Sequence, residues 1–347
     1  MSEGVKETRF AVIGCGAVSR VHIEQIKKIP GARLIAVSDI AEAVAKRVGE
    51  AEDVPWYTDF RDILMRDDVD VVNIVTPSGT HSDIITLAAQ AGKHVLVEKP
   101  IDITVERAER AIRACRVANV KLGVVSQHRF DDATMIVKRN LASGVLGEPF
   151  LVQASVDWYR AQSYYDRAPG AGTWAMDGGG VLMIQALHTI DVVQHLLGPI
   201  KSVFAKTSTA THDGIEVEDT AVATLTFVNG SVGALSATTS AYPGLSTRID
   251  IFGRLGTAII ENDTLTHLFV VNDADRVGMN GGHVENTADK EIGNKEPGIA
   301  HRRQIRDMMA AIYEDRDPLV SGEESLNVVK VILAMYQSAR TNLPVNL

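Results

Sequence analysis

The chain has 347 residues, 45% of them hydrophobic, and a formal net charge of −9 at pH 7. That length points to two domains with sizeable cores rather than one. An acidic balance without a block of basic residues argues against nucleic acid as a partner. No run is long and apolar enough to span a membrane, no signal-peptide pattern opens the chain, and neither Cys15 nor Cys115 belongs to a C-x-x-C pair. A cytoplasmic protein without a membrane partner is expected.

Strand-like and helix-like segments alternate from the start. Phe10 to Ile13 reads as a buried strand that stops at Gly14, and a helix begins from about Ala17. Gly14 and Gly16 hold the first two places of a G-x-G-x-x-G/A fingerprint, and Ser19 holds the third, where a small side chain lets helix and sheet pack. The amides of Ala17 and Val18 at the helix N-terminus would face a pyrophosphate. Val18 to Ile29 is amphipathic and stops at Pro30-Gly31, and Arg33 to Val37 is the second strand. Asp39 follows it, placed to accept both ribose hydroxyls of a dinucleotide and to repel a ribose phosphate. No arginine comes directly after it, so NAD(H) is expected over NADP(H).

Further helices are expected at Ile40 to Val48, Phe60 to Met65 and His81 to Ala91, with a short edge piece at Trp56-Tyr57. Val69 to Val75 is β-branched and reads as a buried parallel strand. The loop Thr76-Pro77-Ser78-Gly79-Thr80-His81 lies beyond that strand's carboxyl end, where open α/β sheets bind ligands, so Thr76, Pro77 and His81 are candidate cofactor contacts. His94 to Val97 runs directly into Glu98-Lys99-Pro100. A lysine there could donate to an oxygen that gains charge. Thr104 to Asn119 is a helix with Thr104 as its cap. Lys121 to Val125 completes the sheet, and Gln127-His128-Arg129-Phe130 lies at its end.

With the glycine fingerprint and Glu98-Lys99-Pro100 together, the chain resembles the glucose–fructose oxidoreductase, inositol dehydrogenase and rhizopine-catabolism oxidoreductase family, in its sugar-dehydrogenase-like branch. The resemblance runs over essentially the whole chain. It implies a Rossmann domain over residues 1–127 in which Glu98, Lys99 and Gln127 join the NAD(H) site. Lys99 is expected near nicotinamide and substrate. A second domain, residues 128–347, is then an α+β unit that binds substrate and carries the oligomer contacts.

In that second half, Asp131 to Ser143 is amphipathic, and Phe150 to Trp158 alternates as an opening strand. The insert Tyr159 to Trp174 offers Tyr159, Arg160, Tyr165 and Trp174, residue types that cover a sugar face and bond to its edge. Asp177-Gly178-Gly179-Gly180 leads a helix carrying His188 and Asp191, which share a face at i and i+3. An acid beside a histidine can orient its ring and support its basic form. The family's catalytic histidine matches His188. Where relatives have Asp or Asn four residues earlier, this chain has Ile184; Gln185 is the adjacent polar group and is expected on a different helix face. Many similar proteins also have an arginine where Ala171 stands.

Strands are expected at Ser202 to Ala205, Thr220 to Phe227, Ser231 to Thr239, Arg248 to Phe252 and Thr257 to Glu261, as an open, mostly antiparallel sheet with Asn229-Gly230 at a hairpin. Asp273 to Pro297 reads as a polar lobe. Ala300 to Tyr313 is a helix with His301 near its start, in the place of a family histidine that approaches the substrate. The last helix, Glu323 to Ser338, is expected to pack back on the first domain.

The chemistry expected is hydride transfer between NAD(H) and a secondary alcohol or ketone carbon of a sugar, sugar derivative or cyclitol. His188 takes the hydroxyl proton and Lys99 stabilises the alkoxide. Asp191, Gln185, Tyr159, Arg160, Tyr165, Trp174 and His301 support or bind substrate. No metal pattern is present, and a homodimer or homotetramer through the second sheet is expected. The rivals are a glycoside-modifying enzyme that retains NAD, and a non-catalytic nucleotide-binding sensor.

Overall fold

The computed structural model describes residues 7–166, 170–271 and 292–347. In chain order the first elements are β1 (Thr8–Ile13), α1 (Ser19–Lys27), β2 (Ala32–Ser38), α2 (Glu42–Glu52), β3 (Trp56–Tyr57), α3 (Phe60–Leu64), β4 (Val71–Ile74), α4 (His81–Gln90), β5 (His94–Val97), α5 (Val105–Val117) and β6 (Leu122–Val124). Then come α6 (Asp132–Ala142), β7 (Pro149–Asp157), α7 (Gln162–Asp166), α8 (Trp174–Asp177), α9 (Val181–Ile184), α10 (Leu187–Leu197), β8 (Ile200–Ser208), β9 (Thr220–Phe227) and β10 (Val232–Thr238). The chain closes with β11 (Thr247–Gly253), β12 (Gly256–Glu261), β13 (Thr264–Val270), α11 (Ile299–Tyr313), α12 (Gly322–Thr341) and β14 (Val345–Asn346).

The chain forms two compact units, and neither is continuous in sequence. The first takes residues up to Gln127, Ala175–Gly178 and Gly298–Val329; the second takes His128–Trp174, Gly179–Pro297 and Lys330–Leu347. A single cut at residue 127 therefore misplaces two segments. The physical reason is the apolar face of α11. Its Ile305, Met308 and Met309 share one core with Phe10 and Val12 of β1, Ile23 and Ile26 of α1, and Leu96 of β5. Leaving that face in water would expose side chains worth roughly 1.5–3 kcal/mol each on burial. The helix that packs back on the first unit is thus α11, joined by α12 only as far as Val329.

The first unit holds a six-stranded sheet in the order β3-β2-β1-β4-β5-β6. Every pair in it is parallel. Its core strands are buried on both faces, which is why they read as near-continuous apolar runs. The chain leaves β1 toward β2 on one side and returns at β4 on the other, so the β1/β4 boundary is a topological switch point. Gly14, Asp39, the Thr76 loop and Lys99 all follow the carboxyl ends of these strands. Thr104 caps α5 as expected, its hydroxyl accepting from Arg107 N at 3.3 Å.

The second unit holds an eight-stranded sheet in the order β13-β12-β11-β7-β10-β9-β8-β14. The β7–β10 pair is parallel and the other pairs are antiparallel. Burial alternates along β7 and β9, as it must when one face is covered. Helix α10 packs on β7 and β11, α6 on β12 and β13, and α9 on β9 and β10. β13 and β14 lie beyond the strands expected from sequence. Most of the expected polar lobe, Asp273 to Pro297, lies outside the described residues. Among the described residues no single helix is long and apolar enough to cross a membrane.

The segment after Asp177 is two helices, not one. Gly180 admits no side chain, because a Cβ there would lie 1.7 Å from the Glu218 carbonyl oxygen. That close approach lets Glu218 accept from Gly180 N at 3.0 Å and Leu182 N at 2.9 Å, capping α9. The helical path breaks at Gln185-Ala186 before α10 begins.

Candidate active site

In the first unit the glycine turn has the form a dinucleotide needs. Gly14 has φ +94°, and a Cβ on it would sit 2.5 Å from the Val75 carbonyl oxygen. Only glycine lets the β1 turn close against the end of β4 in this way. Gly16 has nothing within 4 Å of where its Cβ would stand, so the space above the turn is open. Gly16, Ala17 and Val18 are exposed. Ser19 is buried and donates to Gly16 O at 2.6 Å, which fixes the start of α1. Asp39 is half-buried; its two oxygens accept from Cys15 N at 2.8 Å and Ala41 N at 2.9 Å. These bonds aim the carboxylate from the end of β2 and leave further lone pairs for ribose hydroxyls. The residues present fit an NAD(H) molecule. Burial and the Asp39 charge push the Cys15 thiol up to about 12, so it is an inert neighbour.

Other residues expected at the cofactor are bonded within the protein. His81 is buried, with Nδ1 2.8 Å from Pro100 O and Nε2 2.8 Å from Thr76 O. Burial lowers its pKa against the pull of these two carbonyls. It pins the Thr76 loop to the Glu98-Lys99-Pro100 loop and does not reach the surface itself. Thr76 is half-buried and bonds to the Thr80 hydroxyl at 2.8 Å, while Pro77 is exposed. Gln127 is half-buried in the turn after β6.

Glu98 also turns inward. Its Oε1 meets His22 Nε2 at 2.8 Å, and its Oε2 accepts from Lys99 N at 3.2 Å. Asn73 lies 3.2 Å from the other His22 nitrogen. Burial would raise the Glu98 pKa, but the His22 hydrogen bond and the neighbouring cations outweigh it and hold the carboxyl at about 2. His301 lies on α11 with its ring 5.7 Å from that of His22. It is half-buried and belongs to the first unit rather than to the second domain expected for it. Lys99 is half-buried; burial lowers its pKa while Glu98 and Asp177 oppose the shift. Asp177, whose charge acts on Lys99, was not among the residues expected at the site, although Asp177-Gly178-Gly179-Gly180 stood out in the sequence.

In the second unit His188 lines a cavity of about 60 Å³ with His128, Trp158, Gln185, Arg248 and Asp263. Gln185 and His188, three residues apart and on either side of the break at Gln185-Ala186, line one cavity. Gln185 is buried; its Nε2 donates to Tyr164 OH at 3.3 Å, and its Oε1 has no hydrogen-bond partner among the described residues. Asp191 does not orient His188. Its carboxylate takes a bidentate pair from Arg129, at 2.7 and 2.9 Å, with both side chains almost wholly buried. The ring beside His188 is His128, with centroids 4.9 Å apart and planes at 82°.

The aromatic insert is placed differently from expectation. Tyr165 is a core residue: buried, bonded through its hydroxyl to Thr239 at 2.9 Å, and set edge-on to His212. Tyr159 is exposed and stands edge-on to Tyr242, so the aromatic side chain of the His188 cavity is the preceding residue, Trp158. The Arg160 guanidinium covers the Trp158 ring at 4.9 Å. Trp174 is also exposed, its indole donating to Glu216 O at 3.1 Å. The alternation of β7 held the signal for Trp158; nothing in the sequence singled out His128.

The comparisons with known proteins agree with this geometry. Residues 8–126 match the family described as "Oxidoreductase family, NAD-binding Rossmann fold", and residues 138–347 match its "C-terminal alpha/beta domain". The chain belongs to this family, that of glucose–fructose oxidoreductase, inositol dehydrogenase and the rhizopine-catabolism oxidoreductase. It is an NAD(H)-dependent oxidoreductase. Among solved structures it is similar to the WlbA dehydrogenase of Bordetella pertussis in complex with NADH and UDP-GlcNAcA, at 32% identity over 99% of both chains and a TM-score of 0.84. It is 29% identical to the myo-inositol 2-dehydrogenase of Thermotoga maritima, over 73% of this chain and 75% of that protein. It is 27% identical to the scyllo-inositol 2-dehydrogenase of Bacillus subtilis, over 98% and 96%.

The Glu98–His22 contact gives the fold a pH signature. The folded value of Glu98, about 2, lies below the ordinary carboxylate value, so its stabilisation is present above about 4.5 and is lost as pH falls toward 2. Glu98→Gln should flatten that part of the stability profile, measured by denaturant unfolding between neutral and acid pH. An unchanged acid slope would mean that Glu98 is not the group being protonated.

Proposed function

We propose that the chain oxidises or reduces a secondary alcohol or ketone carbon on the sugar ring of a nucleotide-linked sugar. The observation that carries this reading is the likeness, over 99% of both chains at 32% identity, to a dehydrogenase crystallised with NADH and UDP-GlcNAcA. The cavity beside His188 suits a sugar hydroxyl. Gln185 Oε1 is a buried acceptor awaiting a donor, and leaving such an atom unsatisfied costs about 1–3 kcal/mol. A hydroxyl placed there removes that cost. The exposed rings of Tyr159 and Trp174, and the Arg160 guanidinium, are available for the remainder of the substrate.

In oxidation, His188 accepts the hydroxyl proton as the carbon gives up hydride. Lys99 offers its ammonium to the oxygen that becomes an alkoxide. Bound nicotinamide supplies the hydride acceptor or donor. In reduction His188 returns the proton. Ile184 brings no second proton carrier, which leaves His188 as the titrating group of this step.

NADH formation from NAD+ should be compared for UDP-GlcNAcA, myo-inositol and scyllo-inositol. Faster turnover of the nucleotide sugar is expected; faster turnover of a free inositol would overturn the nucleotide-sugar reading. With the active substrate, the oxidative rate should rise with pH through a group near the ordinary histidine value of about 6.5. His188→Asn should remove that limb and lower the rate while NAD binding persists. Retention of both rate and limb would make His188 a structural residue.

We also propose a homo-oligomer built through the uncovered face of the second sheet. That face carries a shallow groove of about 630 Å³ lined by Phe204, Val222, Ala234 and their neighbours. Val222 is 52% exposed, in the middle of β9. Light scattering should give a dimer or tetramer, and Val222→Asp should shift it toward monomer. A monomeric native chain would contradict this assembly.

A further inference from the structure

Arg160 differs from the other arginines around the His188 cavity. Arg129 is matched by Asp191, and Arg248 by Asp250 and Glu261. Arg160 is half-buried and has no carboxylate partner among the described residues. Its only side-chain hydrogen bond among them runs from Nη1 to Tyr159 O at 3.1 Å, so most of the guanidinium donors are open. The residue is nevertheless fixed in place. Its backbone N donates to Thr239 O at 2.7 Å. Its carbonyl oxygen lies 2.7 Å from His212 Nε2, and the other nitrogen of that ring lies 2.9 Å from Asp219 Oδ2. The guanidinium carbon lies over two rings, 4.9 Å from the Trp158 centroid and 5.4 Å from that of Tyr164.

Both rings lead to the cavity. Trp158 lines it beside His188, and the Tyr164 hydroxyl accepts from Nε2 of Gln185, which lines it too. Contact with the rings holds a long side chain that would otherwise lose freedom on meeting a ligand. The flat fork that results matches the oxygens of a carboxylate or a phosphate, and such charge-assisted pairs are the strong ones. The chain as a whole carries a charge of −9, so an anionic substrate needs a local positive group to hold it.

We propose that Arg160 reads a negative charge on the substrate, an oxyanion carried by the sugar ring or joined directly to it. The proposal rests on the reading of the His188 cavity as the place of the reacting sugar, and it narrows the substrate to sugars that bear an anion. A ring carboxylate and the diphosphate of a nucleotide sugar offer the same chemistry to the guanidinium.

The test is calorimetric titration of the full chain saturated with NADH, where an alcohol finds no hydride acceptor and binding alone is read. UDP-GlcNAcA carries both anions, UDP-GlcNAc the diphosphate only, free GlcNAcA the carboxylate only, and myo-inositol neither. Arg160→Gln should weaken UDP-GlcNAcA binding by at least about tenfold, in the range of losing one hydrogen bond to a charged group. Arg160→Lys keeps the charge without the planar fork and should fall between the two. An equal loss with UDP-GlcNAc assigns Arg160 to the diphosphate, and an equal loss with GlcNAcA assigns it to the carboxylate. Unchanged affinity of Arg160→Gln for all three anionic ligands overturns the proposal. So does the same loss with myo-inositol, which would make Arg160 a structural residue. If Arg160→Gln does not fold, native affinity for UDP-GlcNAcA in Arg160→Lys overturns it. A native chain that binds GlcNAcA but not UDP-GlcNAcA ends the nucleotide-sugar reading, and Arg160 is then judged on GlcNAcA. A native chain that binds none of the three anionic ligands overturns the assignment of Arg160.

Discussion

The active half of the second unit depends on one buried ion pair, Arg129 with Asp191. Both side chains are almost wholly withdrawn from water, and the guanidinium meets the carboxylate in a bidentate fork. The pair ties the turn that follows β6 to α10. That turn carries His128 and the helix carries His188, so the spacing of the two rings follows from the clamp. Two charges taken out of water need one another. Removing one partner of such a pair costs about 3–5 kcal/mol, because the other is left buried and uncompensated. The pair therefore holds a geometry more than it adds net stability.

The same logic runs through the first unit. Its sheet brings four loops to one edge, and buried polar contacts then fix those loops. Gly14 seats the β1 turn against Val75, His81 joins the Thr76 and Pro100 backbones, and Glu98 anchors on His22. His81 and Glu98, expected at the cofactor, are engaged in these contacts within the protein.

Much of this was legible in the sequence where the signal is local. The parallel strands announced themselves as apolar runs, and the glycine turn, Asp39 and the cap at Thr104 lie where their residue types require. The second sheet was legible in part. β13 escaped, although Asn262-Asp263 before it is a two-residue turn with φ +47° and +62°, a hairpin signal. What sequence could not supply was pairing across distance. Asp191 stands three residues from His188 and suggested an orienting acid, but Arg129, 62 positions away, takes it. His128 meets not only Asp131 nearby but also Asp263, far along the chain. Glu218 caps α9 from 38 positions beyond Gly180, and no periodicity within the helix reports it.

The central claim is that this chain moves hydride with the Lys99 ammonium stabilising the reacting oxygen. The most direct test is single-turnover hydride transfer by Lys99→Met, followed at saturating NAD+ with the active substrate and its carbon-deuterated form, beside the dissociation constant for NAD+. Cofactor binding should be nearly unchanged, and the isotope-sensitive step should slow by at least about 10²-fold, as expected on losing one positioned electrostatic group. Near-native hydride transfer in Lys99→Met would contradict the account.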